Sequence, residues 1–312
     1  MLVSLVLLSL GVLAAVVAPR LVSRAPWPER EPIVALWVWQ CVVAAVLLSF
    51  TLSMTFSAAA AWQLVRGHVF APAPHGVMEA YALGNDEAWP AVLAVLLACG
   101  GLWTLAMLTR EIRDARARRA ARRAELLVRA PLLPGETPAS GDRLVVLEGE
   151  RADAWWLPGP AARLVITTAA LRRLKGRQLD AVLAHEQGHA RARHDWLLHC
   201  SSALANGFPQ LPVFAAFRDE MHRLVELAAD DVASKRFGRL TIALALVELN
   251  EDRGVFGPCP APDAHLPQRV NRLLAATPRL PAVHRLRLTA AAALVPVVPV
   301  AVAFVPALRA LG

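Results

Sequence analysis

Read as apolar and polar positions, the chain begins with long uncharged runs and turns polar only after its first third. Leu2 to Pro19 carries no charge and, at about eighteen residues, is long enough for one membrane crossing. No basic residue precedes it and no small-x-small cleavage site is clear, so it reads as an uncleaved span. Ile33 to Val65 is also uncharged and long enough to tilt, with Trp37, Trp39 and Trp62 suited to its interfacial ends. Pro90 to Thr109 makes a third span, and Leu288 to Leu308, broken by Pro296, Pro299 and Pro306, a fourth. The expected spans are therefore residues 2–19, 33–57, 90–109 and 286–312.

Between the third and fourth spans the pattern shortens. Pro131 to Gly141 has the turn chemistry of a linker. Arg143 to Leu147, Ala154 to Leu157 and Arg163 to Thr168 read as strands, the last two separated by a Pro158-Gly159-Pro160 turn. Thr168 is expected to cap a helix over Ala169 to Lys175, closed by Gly176, after which Arg177 or Gln178 opens another. Trp196 to Phe217 has no formal charge but is interrupted by Asn206-Gly207, Pro209 and Pro212. It reads either as a re-entrant or interfacial hairpin or as a buried turn between helices. Helices are expected over Phe217 to Phe237, Leu240 to Asn250 and Arg269 to Leu274.

Composition agrees with a membrane chain: 56% of the 312 residues are hydrophobic and the mean hydropathy is +0.43, too apolar for an ordinary soluble domain. Cys41, Cys99, Cys200 and Cys259 are scattered, with no disulfide framework or C-x-x-C site, which favours a reducing compartment for the polar half. The formal charge of +8 changes the picture through its placement. Arg110, Arg113, Arg116, Arg118, Arg119, Arg122, Arg123 and Arg129 follow the third span at once. Basic residues collect on the cytoplasmic side, so the polar domain is expected in the cytoplasm and the N-terminus and the Arg66 to Trp89 loop outside. The same stretch, Arg110 to Arg123, is expected to grip anionic lipid at about 1 kcal/mol per residue, and nucleic acid is not expected as a partner. The division that follows is three spans over 1–109, a basic juxtamembrane helix and linker over 110–140, a polar α+β domain over 141–285, and the last span over 286–312.

The chemistry lies in Ala181-Val182-Leu183-Ala184-His185-Glu186-Gln187-Gly188-His189, an H-E-x-x-H pattern on a helix. Four residues is just over one turn, so His185 and His189 leave one face and can share one metal ion, with Glu186 beside them as a general base. A hydrolytic zinc site needs a third protein ligand. The extension H-E-x-x-H-x-x-G-x-x-H fails, since Ala192 and Asp195 stand at its glycine and histidine. His194 is expected to face away, about 140° around the helix from His189. Glu226 fits best, four residues before Asp230, which could orient a ligand imidazole; Glu220 and Asp231 are spare candidates. One Zn2+ per chain would let Glu186 take a proton from water and return it to a leaving amine. His222, Arg223 and His265 are candidate oxyanion or substrate contacts, because the only tyrosine, Tyr81, sits in the outer loop. The strand Arg163 to Thr168 is expected to dock an extended peptide by edge pairing.

Leu179 to His189 followed by Arg193-His194-Asp195, then Asn206-Gly207-Phe208-Pro209, then Glu226-Leu227-Ala228-Ala229-Asp230-Asp231, resembles the membrane metallopeptidases of the BlaR/MecR antirepressor type. Their relatives, the heat-shock and CAAX prenyl-protein membrane proteases, share H-E-x-x-H with a later E-x-x-x-D. The resemblance covers residues 140–275. It implies zinc ligands at His185, His189 and Glu226, a base at Glu186 and an orienting carboxylate at Asp230. The fold class it implies is a mainly α membrane protein, with four transmembrane helices and a cytoplasmic, gluzincin-like α+β metallopeptidase domain carrying a small sheet. A multi-pass endopeptidase of the cell membrane, cutting protein or peptide substrates in regulatory proteolysis, is the expected function. The alternative is a zinc-stabilised adaptor that binds a partner without cutting it. Antirepressor-type sensors add an extracellular penicillin-binding domain after the last span. This chain reaches Gly312 just past its fourth span, so direct β-lactam sensing is not expected.

Overall fold

The computed structural model describes residues 2–66, 89–129, 143–157, 163–250, 265–275 and 278–311. The expected outer loop with Tyr81, the linker Pro131 to Gly141, the Pro158-Gly159-Pro160 turn and Cys259 lie outside the described residues. The apolar N-terminal runs form α1 (Leu2–Ser23) and α2 (Pro32–Arg66), joined through a short 3-10 turn at Trp27–Glu29. Ser53 Oγ donates to the Ser4 carbonyl at 2.8 Å, and a Cβ placed on Gly11 would sit 3.0 Å from Ser49 Cβ. The two helices thus run antiparallel, close enough at Gly11 to exclude a side chain.

Among the described residues two helices are long and apolar enough to cross a membrane, Val3–Ser23 and Pro32–Ala58. A third candidate consists of α10 (Ala282–Leu294) and α11 (Val297–Leu311), which bend by 44° at their junction. Pro296 lies in that break, where its missing N–H and ring interrupt the helical ladder. The expected third span, Pro90 to Thr109, is the first half of α3 (Trp89–Arg129), a helix of 41 residues that continues straight through the arginine-rich stretch.

Strands β1 (Arg143–Leu147), β2 (Ala154–Leu157) and β3 (Arg163–Thr167) form a sheet in the order β1-β3-β2, with β3 parallel to β1 and antiparallel to β2. Leu164, Val165 and Ile166 of β3 are all buried, as befits a central strand. This corrects the expectation that the Arg163 to Thr168 strand offers a docking edge, because both of its edges are already paired. The free edge on the side of the site belongs to β2.

The cap of the next helix also shifts by one residue. In α4 (Thr168–Arg173) the capping side chain is Thr167, whose hydroxyl accepts from Ala170 N, and Gly176, at φ +51°, serves as the entry to α5 (Arg177–Arg191). Arg193, at φ +53°, breaks the helix after α5, and α6 (His194–Gly207) leaves in a new direction. The uncharged Trp196 to Phe217 stretch is therefore mostly helix. Asn206-Gly207 and Pro209 end α6, and Pro212 opens α7 (Pro212–Phe237) at the first-turn position where a missing N–H costs nothing. The helix therefore starts five residues before the expected Phe217, because Pro212 begins it rather than interrupting it. The chain continues through α8 (Arg239–Leu249) and α9 (Leu266–Ala275).

One core joins the apolar helices to the polar domain. Ala15, Trp39, Val42 and Val46 of α1 and α2 are buried with Val213, Phe214, Phe217, Met221, Leu224 and Val225 of α7. The opposite face of α7 meets α5, where Gly188 lets the two backbones approach: a Cβ there would lie 3.6 Å from Ala229 Cα and 3.6 Å from Val232 Cβ. That is ordinary contact for one methyl and no more. Gly188→Ala is expected to hold or raise the unfolding temperature of the full chain in detergent, since alanine favours a helix interior by up to about 1 kcal/mol. Gly188→Leu should lower it by overpacking worth about 1–3 kcal/mol. Equal melting of both variants would show that the two helices are not in close contact.

Candidate metal centre

The site is built on α5 and α7, which cross at Gly188. Ala181 and Val182 anchor α5 in the core, and one turn later His185 is buried beneath α7. His185 Nε2 lies 3.1 Å from His189 Nε2 and 3.4 Å from Glu226 Oε2, and His189 Nε2 lies 3.5 Å from Glu226 Oε1. Ligand bonds of 2.0–2.2 Å in a tetrahedron place donor atoms about 3.3–3.6 Å apart, so the spacing fits a zinc-sized ion. These three residues are the one group among the described residues whose ligand atoms cluster in this way, all within 4.8 Å of one another. The spare candidates lie elsewhere: Glu220 pairs with Arg223 at 2.8 Å, and Asp231 accepts from Arg272 and Arg279.

Behind the donors stands a second layer. His185 Nδ1 lies 3.1 Å from Oδ1 of Asp230, which is fully buried. Arg269, from α9, donates to both Asp230 oxygens, through Nε at 2.8 Å and Nη2 at 2.7 Å, and its Nη1 lies 2.7 Å from Glu226 Oε2. One guanidinium thus holds the two acids of the E-x-x-x-D pair. The sequence reading missed Arg269, although a signal existed: two acids buried on one helix face require a cation, and α9 is amphipathic with Arg269 among its few polar positions. His194 also differs from expectation. The left-handed turn at Arg193 swings it back, and its Nδ1 lies 3.0 Å from His189 Nδ1. An angle of about 140° holds only along an unbroken helix, and α5 ends at Arg191, before His194.

Electrostatics follow from burial and these contacts. Burial works against a charge on His185, but Asp230 and Glu226 outweigh it and raise its pKa to about 10. Burial lowers His189 to about 3. Asp230 resists its own burial through the Arg269 charge and ends at about 2, and Glu226 is likewise held well below the usual carboxylate range by Arg269 and the two imidazoles. Glu186 behaves oppositely. Burial raises it to about 7, against the pull of His185 and of a hydrogen bond in which Trp156 N donates to Glu186 Oε2 at 3.1 Å. A carboxyl group with this pKa beside a metal-ready face is suited to take up and release a proton near neutrality.

A cavity of about 140 Å³ opens beside Glu186 and Glu226, between β2 and α8, with Ile242, Ala245, Leu246 and Leu249 as its apolar wall. Arg269 lines it, whereas His222, Arg223 and His265 do not. Arg223 is engaged with Glu220 and Glu29, and His265 lines a separate small pocket with Glu29, Arg223 and Gln268. His222 is lowered by burial and by Arg218, and lies one turn before Glu226 on α7.

Residues 115–244 match the model of Peptidase family M48, a stretch that contains His185, Glu186, His189 and Glu226. The chain is also similar to the crystal structure of S. mikatae Ste24p, at 14% identity over 88% of this chain and 99% of that one, with a TM-score of 0.38. Comparison with curated proteins returns no match. The family match, around a His-His-Glu group that can hold a metal, makes this a metallopeptidase, a hydrolase acting on peptide or protein substrates, and its apolar helices make it a membrane protein.

Removing Arg269 leaves Asp230 buried and unpaired. Arg269→Leu should therefore cost about 3–5 kcal/mol of stability. Because Asp230 is held down to about 2, the deficit should be full above about pH 4 and should shrink as pH falls through that value. Denaturant unfolding of the full chain in detergent at pH 7 and pH 3 checks both; a deficit that does not shrink at low pH would detach it from Asp230.

Proposed function

We propose that this membrane metallopeptidase is a zinc endopeptidase in which His185, His189 and Glu226 hold the ion, Glu186 is the general base, and Asp230 orients the His185 ring. The observation that carries the reading is that the two Nε2 atoms lie 3.1 Å apart and the Glu226 carboxylate reaches one with each oxygen, at 3.4 and 3.5 Å, with Glu186 on the adjoining helix face. Zinc, when bound, supplies a Lewis acid that polarises a peptide carbonyl and acidifies water. Around it the chain's own residues divide the work. Asp230 and His194 fix the two imidazoles through their Nδ1 atoms, so that both Nε2 atoms point to one place. Arg269 neutralises Glu226 and Asp230 from behind and keeps both ionised. Glu186 accepts a proton from the attacking water and hands it to the leaving amine, a role that its pKa near 7 suits in both directions.

The substrate lies extended along the outer edge of β2, the strand edge beside the site. Trp156 N on that edge is the group that donates to Glu186, so a peptide paired there competes for it and frees the carboxylate as it docks. One side chain of the substrate enters the 140 Å³ cavity, whose apolar wall selects a small hydrophobic residue. The membrane arrangement belongs to the same proposal: four spans, the arginine run of α3 against the cytoplasmic leaflet, the N-terminus outside and the catalytic half in the cytoplasm. On that face the substrates are cytoplasmic or membrane-borne proteins, cut in the regulatory manner that the antirepressor resemblance implies.

Metal analysis of purified full-length protein should give one zinc per chain, and His189→Ala should lose it. Glu186→Gln should keep the zinc and lower peptide cleavage by at least about 10²- to 10⁴-fold. Persistent cleavage by Glu186→Gln would remove that residue from the mechanism, and an intact cellular phenotype without cleavage would favour the adaptor reading. Ala245 is buried in the cavity wall. Ala245→Leu should therefore disfavour substrates with the larger apolar side chains, read as a fall in kcat/KM of about tenfold or more with smaller residues spared.

A further inference from the structure

Four arginines from four separate segments converge on one pocket away from the metal site. Arg30 comes from the link between α1 and α2, Arg239 from the first position of α8, Arg272 from α9 and Arg279 from the segment before α10, and Asp231 is the only acid lining the pocket among the described residues. The space enclosed between them is small, about 10 Å³. Arg272 donates to the Glu29 carbonyl at 2.6 Å and to Asp231 Oδ1 at 2.8 Å, and Arg279 reaches Asp231 Oδ2 at 3.4 Å. Arg30 and Arg239 have no ion-pair partner among the described residues. Four guanidinium groups against one carboxylate leave an excess of three positive charges facing one small space. Like charges brought together from independent segments repel unless an anion sits among them.

The position of the pocket identifies the anion. Arg30 lies two residues before Pro32, where the candidate span Pro32–Ala58 begins, and Arg279 lies three residues before Ala282, where the bent pair begins. Leu280 N donates to Glu31 Oε1 at 3.2 Å, which ties the starts of these two apolar helices together. The pocket is therefore at the level where the apolar helices leave the hydrocarbon, in the layer occupied by lipid headgroups. Guanidinium forks match phosphate oxygens in pairs, and basic pockets between the ends of membrane helices take phosphorylated headgroups. We propose that Arg30, Arg239, Arg272 and Arg279 form a specific site for the phosphate headgroup of an anionic phospholipid. This goes beyond the peptidase reading and depends on none of its chemistry. It also differs from the diffuse attraction of the arginine run on α3, because it has a fixed stoichiometry of one headgroup per pocket.

Full-length protein reconstituted in phosphatidylcholine vesicles doped with phosphatidylglycerol, extracted in mild detergent and weighed intact by native mass spectrometry, tests the proposal. The wild type should retain one phosphatidylglycerol in preference to phosphatidylcholine. Arg30→Gln/Arg239→Gln removes the two guanidinium groups that hold no ion-pair partner among the described residues, so the fold should survive, with unchanged melting and zinc content. Its retention of phosphatidylglycerol should fall on the order of thirtyfold, while the α3 arginines remain in place. The single variant Arg239→Gln should show an intermediate loss. Equal retention by wild type and double variant would overturn the site, as would equal retention of the two lipids by the wild type. In a parallel arm without anionic lipid, millimolar inorganic phosphate is added. Tight capture of free phosphate together with no retention of phosphatidylglycerol would overturn the assignment to lipid.

Discussion

The bidentate grip of Arg269 on Asp230, extended by its third nitrogen to Glu226, is the interaction on which the site depends. An Asp with no solvent exposure and a glutamate one turn away would repel each other and protonate if left alone. With a guanidinium between them both stay ionised, and each then has a charge to present to an imidazole. Asp230 faces His185 Nδ1 and so turns Nε2 outward, while Glu226 faces the two Nε2 atoms. The direction of the donor atoms is thus set in part by a guanidinium that bonds both acids.

The helix that carries the two acids has its other face in the core shared with α1 and α2. Phe214, Phe217, Met221 and Leu224 are buried against Trp39, Val42 and Val46, so the register of Glu226 and Asp230 over α5 is fixed by apolar packing that begins about three turns earlier on the same helix. Gly188 sets how near α5 comes to that helix. The apolar N-terminal helices therefore do more than provide attachment: they support the rigid element from which the third donor projects. This connects the membrane part of the chain to the spacing of 3.4 and 3.5 Å at Glu226.

What the sequence made legible and what it hid divide along physical lines. His185, Glu186 and His189 lie within five consecutive positions on one helix, so helical geometry alone brings the two imidazoles together. Glu226 and Asp230 could be paired with them because an i, i+4 acid pair on a second helix also has a face. Arg269 stayed hidden because its role comes from a contact 39 residues away in sequence, and no local period encodes that. His194 was misplaced for a related reason. Its position follows from one left-handed residue, Arg193, which carries no glycine to announce the turn. Strand existence was readable from alternation, but strand order was not: β3 sits between β1 and β2 because β1 returns parallel to it, and pairing partners are set by tertiary packing. Pro212 starts a helix where a proline in sequence also suits a break, since proline is excluded from a helix interior but is at home in its first turn.

A net charge of +8 is one number, yet the arginines behind it occupy three different electrostatic situations. Those of α3 follow an apolar half-helix in a row, where salt can screen them. Arg269 is buried and matched by two carboxylates, so its charge is spent inside the fold. Arg272, on the same helix as Arg269, stands between these cases: one nitrogen serves Asp231 and another the Glu29 carbonyl, while its guanidinium still lines the pocket with Arg30, Arg239 and Arg279. Asp230 and Asp231 are neighbours on α7, one answering the metal-facing side and the other the side toward the apolar helix ends. The two faces of a single helical turn therefore each hold a charge cluster, and α9 reaches both through arginines three residues apart.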